Sequence, residues 1–117
     1  MTDQPIPQVN EEDIRRIVNR DFAASERELA FSILGEYGSE DWHREPVRVR
    51  VAALKLSKGE TEILRREIET AKNDYRDTIA LAEYPGYLKL DFSELSENKT
   101  QRIIESDWNQ YQEWLSK

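Results

Sequence analysis

Cysteine is absent from this sequence of 117 residues, and histidine appears once. Without thiols there is no disulfide and no thiolate metal site, and the redox compartment is left open. A single histidine is a thin ligand set, so neither a metal nor any other cofactor is expected. Glycine and proline number four each, and helix ends and turns account for every glycine, which leaves none for a phosphate-cradling loop. No apolar run approaches the length of a membrane span, and the first eight residues have neither the basic region nor the apolar core of a signal peptide. The expectation is a soluble, cytoplasmic chain. Nucleophile elbow, zinc spacing and dinucleotide fingerprint are all missing, so an enzyme is not expected.

Positive charge is also short, with 17 basic residues against 24 acidic ones and a net charge of −7. That balance opposes a phosphate backbone, so nucleic acid and anionic membranes are not the expected partners. Hydrophobic residues make up 38% and charged residues 35%, enough apolar volume for one modest core under a solvated, charged surface. We therefore expect a single helical domain over residues 10–117, preceded by a flexible arm over residues 1–9.

What the sequence does contain is helical periodicity, and it centres on residues 46–58. At about 100° per residue, Val47, Val51 and Leu54 share one side of a helix, while Val49, Ala52, Ala53 and Leu56 share another. A helix apolar on two sides needs neighbours on both. Pro46 suits its first position and Gly59 the left-handed residue beyond its end. The alternation of Val47, Val49 and Val51 with Arg48 and Arg50 also reads as a strand, which would make the protein α+β. The alternation loses phase at Ala52, whereas the helical pattern continues to Leu56. The fold class expected is all-α, a compact bundle of about five helices around this central one.

Upstream, Asn10 is placed to cap a helix whose first turn holds Glu11, Glu12 and Asp13 and whose buried face is Ile14, Ile17 and Val18. Glu11 with Arg15 and Glu12 with Arg16 have the spacing of surface ion pairs. Ser25 and Glu28 read as a capping box opening a second helix, with Leu29, Ala30, Ile33, Leu34 and Tyr37 as its stripe, Phe31 turned away, and Gly38 as its stop. Downstream, Leu64, Ile68, Ala71, Tyr75, Thr78, Ile79 and Ala82 fall on one narrow face, which predicts a single helix over residues 60–84, with Asn73-Asp74 the place where it would divide. Pro85-Gly86 stops it. Residues 87–95 read as a loop that lays Tyr87, Leu88, Leu90, Phe92 and Leu95 on the core. Asn98 with Gln101 reads as another capping pair, opening a last helix with the stripe Ile104, Trp108, Tyr111 and Leu115.

Three short runs, residues 51–59, 71–77 and 82–87, resemble a group of small uncharacterised bacterial helical proteins over the middle third of the chain. The resemblance implies a bacterial, intracellular origin and supplies no catalytic residue.

Four constellations carry polar chemistry. Asp41, His43 and Glu45 have the types for a metal site or an oriented base, or for a plain solvated loop ahead of Pro46. Arg44, Arg48 and Lys55 form a basic stripe that would hold a small anion, or else pair internally with Glu67, Asp74 or Asp77. Arg76, Asp77, Tyr84 and Tyr87 collect at the end of the predicted long helix and, with Trp114, make the leading partner-binding set. The function expected is an acidic, non-enzymatic protein-binding module, of which an immunity or antitoxin protein is one concrete version. The alternatives are a regulatory subunit holding an anion on Arg44, Arg48 and Lys55, and a structural homo-oligomer that buries Phe31 and Trp114 between like chains.

Overall fold

The computed structural model describes residues 4–90 and 96–117. Among these residues the chain forms seven α-helices and no strand, so the all-α expectation holds. No helix among them is long and apolar enough to cross a membrane.

Helix α1 (Glu11–Asp21) starts where its cap dictates. Asn10 Oδ1 accepts from the Asp13 N–H at 3.0 Å, and Asp13 returns the bond to the Asn10 N–H at 2.9 Å, which satisfies two donors at that end. The surface pairs form one residue closer than expected, Arg15 with Glu12 and Arg16 with Asp13.

The predicted capping box at Ser25 does not form. Residues Ala24–Glu26 make a 3-10 turn and α2 (Arg27–Gly35) begins after it, with no side-chain cap. Arg27 instead donates to the carbonyls of Phe22 at 3.1 Å and Asn19 at 3.0 Å, tying the turn to the end of α1. Leu29, expected on the buried stripe, is exposed, while Ala30, Ile33, Leu34 and Tyr37 are buried as expected. The helix stops at Gly35 rather than running on to Gly38.

Helix α3 (Pro46–Ser57) is central, packed against α1, against α4 (Thr61–Asn73) and against α5 (Tyr75–Glu83). Val49, Val51, Ala52, Ala53 and Leu54 are buried, and each fully buried Val or Leu contributes roughly 1.5–3 kcal/mol. The two alanines let neighbouring axes approach closely. Lys58 and Gly59 both take left-handed backbone at its end, and a Cβ on Gly59 (φ 79°) would stand 2.5 Å from the Asp21 carbonyl oxygen. Only glycine fits there.

The helix expected over 60–84 is divided. Asp74 ends α4 by donating its N–H to the Thr70 carbonyl at 2.9 Å and caps α5 by accepting from the Arg76 N–H at 3.1 Å. Length explains the break: α3 has 12 residues, about 18 Å, and an undivided 25-residue helix would reach about 37 Å and overrun it. Divided, both pieces keep their apolar faces on α3.

Pro85 opens α6 (Pro85–Leu88), a single turn where a loop was expected; within that stretch Leu88 is exposed, and Phe92 and Leu95 lie outside the described residues. The last helix, α7 (Glu97–Ser116), is capped by Ser96, which accepts from the Lys99 N–H at 3.2 Å, rather than by Asn98. Ile104, Tyr111 and Leu115 are buried along it and Trp108 is half-buried. Arg16 and Arg20 of α1 donate to the carbonyls of Leu115, Trp114 and Lys117, closing the free acceptors at the end of α7. Residues 4–9 form no helix, yet Pro7 is buried and Val9 packs on the core.

Candidate functional site

The loop between α2 and α3 is built from the inside outwards. Tyr37 is buried and its hydroxyl donates to the Arg44 carbonyl at 2.8 Å. Arg50 of α3 reaches back to the carbonyls of Leu34 at 3.0 Å and Tyr37 at 2.6 Å, which ties the chain leaving α2 to the central helix. Gly38 turns the chain at φ 102°, where a Cβ would meet an Arg50 guanidinium nitrogen at 2.7 Å and Pro46 at 2.8 Å. His43 then folds under the loop: its Nδ1 accepts from the backbone N–H of Gly38 at 2.8 Å and from that of Glu40 at 3.3 Å. That pattern assigns the proton to Nε2, which is buried without a partner among the described residues.

The imidazole stacks on Tyr37, with centroids 4.6 Å apart and planes 13° apart, and Trp42 meets the imidazole edge-on, with centroids 4.3 Å apart. A ladder of three rings thus runs from the core to the surface. At its outer end Trp42 is 62% exposed. Beside it Glu40 and Asp41 are exposed, and neither carboxylate forms an ion pair among the described residues. His43 uses its Nδ1 to hold the backbone, and no group of ligating side chains among the described residues is arranged for a metal ion. Of the three, Asp41 alone is exposed and without an ion pair among the described residues, while His43 has a structural role and Glu45 is engaged by Arg48.

The basic stripe does not assemble into one site. Arg48 makes a two-pronged pair with Glu83 of α5, at 2.7 and 2.8 Å, and reaches Glu45 at 3.2 Å. Glu83 is buried, and its side-chain hydrogen bond to Arg48 raises the guanidinium pKa against the opposing effect of burial. The internal partner is thus Glu83, not Glu67, Asp74 or Asp77. Arg44 is exposed on the loop. Lys55 is half-buried at a separate cleft lined also by Lys58, Gln110, Glu113, Trp114 and Lys117. Its pKa is lowered, first by burial.

The residues of the expected partner-binding set are also dispersed. Arg76 and Asp77 are exposed on the first turn of α5, with Arg76 reaching Asp74 at 3.5 Å. Tyr84 is 4% exposed, its hydroxyl donating to the Pro5 carbonyl, so it is no surface residue. Tyr87 is half-buried beside Asp107. Trp114 lies in the seam between α1 and α7, with the Arg20 guanidinium 5.1 Å above its ring and Tyr111 edge-on at 5.6 Å.

Sequence reasoning missed three residues. Glu83 shares the buried face of α5 with Ile79 and Ala82, and Asp107 falls between Ile104 and Tyr111 on that of α7; a carboxylate on an apolar stripe was the available signal. Trp42 sits in a segment without apolar periodicity, and that was its signal. Comparison with protein-family models, with curated proteins and with solved structures gives no match.

Proposed function

We propose that the chain is a small, acidic, non-enzymatic protein-binding module that meets its partner through the loop Ser39–Glu45. The observation that carries this reading is Trp42, a large indole 62% exposed at the end of a ring ladder rooted in the core. Buried tryptophans at interfaces are the commonest hot spots, and a side chain already held in place loses little entropy on docking. A bacterial, cytoplasmic setting belongs to the same proposal, with a protein that neutralises a basic partner as one concrete version.

The anion-holding alternative loses its central residue, because Arg48 is bonded to Glu83. The homo-oligomer alternative loses half of its face, because Trp114 is engaged by Arg20 and Tyr111.

The test is capture from a lysate of the source organism with the wild-type chain and Trp42→Ala as parallel baits. A stoichiometric partner retained by the wild type and lost with the variant supports the module. Equal capture by both baits, or recovery of the bait alone, counts against it.

A further inference from the structure

The surroundings of Trp42 define the chemistry of what docks there. The loop carries Glu40, Asp41 and Glu45 against one cation, Arg44, and Glu45 is already engaged by Arg48. The carboxylates of Glu40 and Asp41 are exposed and have no cation of this chain among the described residues. An aromatic ring flanked by unpaired carboxylates is suited to a cation, since the indole face attracts it and the carboxylates answer its charge. The net charge of −7 points the same way, by drawing in positive segments and turning away negative ones.

We infer that the loop Ser39–Glu45 is the docking surface for a basic segment of a partner protein, with an arginine or lysine side chain lying on the Trp42 indole and its charge met by Glu40 and Asp41. This inference rests on the protein-binding reading and names the partner's chemistry. His43 and Tyr37 are positioning residues in it: they hold the indole and the Glu40 backbone in place before the partner arrives.

The experiment is a titration of the full chain, followed by the indole N–H resonances, with the Trp42 signal assigned from Trp42→Phe. The probes are an arginine-rich octapeptide, a glutamate-rich octapeptide and a neutral aliphatic one. The basic peptide is expected to move the Trp42 signal in a saturable way at low salt, and the other two to leave it in place. Glu40→Gln with Asp41→Asn is expected to weaken the basic peptide by roughly tenfold, which corresponds to the loss of about 1.4 kcal/mol. Glu28→Gln with Glu62→Gln, which removes the same two charges from exposed positions on α2 and α4, is expected to change affinity by less than about twofold, and Arg44→Gln to tighten it.

The inference is overturned if the aliphatic or acidic peptide moves the signal as strongly, or if the distant double variant weakens binding as much as the local one. It is also overturned if the basic peptide leaves the signal unmoved, or if dilution alone shifts it, which would assign the surface to a second copy of this chain. A basic peptide that fails while Trp42→Ala still loses a captured protein removes only this partner chemistry. If the peptide fails and Trp42→Ala loses nothing, the protein-binding reading falls as well.

Discussion

The Arg48–Glu83 pair shows at the level of single residues why a buried charge is not automatically a binding site. Glu83 is 1% exposed and both of its oxygens are taken by one guanidinium, so little is left for an external ligand. Removing one partner strands the other charge: Glu83→Gln is expected to lower unfolding stability by about 3 kcal/mol in urea titrations, while Arg48→Met with Glu83→Leu recovers most of that loss. Buried phenols add a pH dependence. Burial first, then the Glu83 charge, pushes Tyr84 up to about 12, and Tyr37 and Tyr111 are also raised, in both cases by burial first. Unfolded phenols titrate near about 10, so this stabilisation is complete below that pH and is lost as pH rises towards about 12. Lys55, lowered by burial, acts in the opposite sense, but it stands against the three phenols and Lys72, which its hydrogen bond to Glu69 raises. Unfolding stability measured across that window is therefore expected to fall, and to fall less steeply in Tyr84→Phe.

Helix ends, rather than helix faces, are where neighbouring elements intervene. The N–H groups of Gly86 and Tyr87 at the start of α6 donate to the Asp107 carboxylate of α7, at 3.0 and 2.8 Å. A carboxylate across two free N–H groups at a helix start acts as a cap supplied from outside. Asp107→Ala is expected to cost about 1–2 kcal/mol and to speed hydrogen exchange at those two amides more than at the amides of α3. Similar borrowing occurs at α1, whose arginines close α7, and at the 3-10 turn, which Arg27 ties to α1. Local caps were legible at Asn10, where donor and acceptor are three residues apart. They were misread at Ser25 and Asn98, where other residues do the capping or tying.

For the whole molecule, an acidic surface sets how fast a partner arrives more than how tightly it stays. Raising salt from about 50 to about 500 mM is expected to slow association with a basic partner by roughly tenfold and to change dissociation far less. Stopped-flow mixing with the captured partner, or with the arginine-rich peptide, reads both rates. Trp42→Ala is expected to leave unfolding stability within about 0.5 kcal/mol of wild type, since a largely exposed ring contributes little burial, while abolishing partner binding. A large stability loss would instead make Trp42 part of the fold.

The sequence by itself determined the all-α class, the central helix with its two apolar sides, and the buried faces of α1, α4, α5 and α7. These follow from periodicity, which is a local property of the chain. The sequence also marked Asn73-Asp74 as the place where the helix over 60–84 would divide, but only the tertiary structure decided that it does, because the break answers the length of α3, a distant element. The tertiary structure alone decided that Arg48 belongs to Glu83, 35 residues away, that Tyr84 is buried with its hydroxyl on the Pro5 carbonyl, and that Trp42 is left outside. Pairing and exposure depend on which elements meet, and meeting is set by packing across the whole chain rather than by the spacing of residues along it.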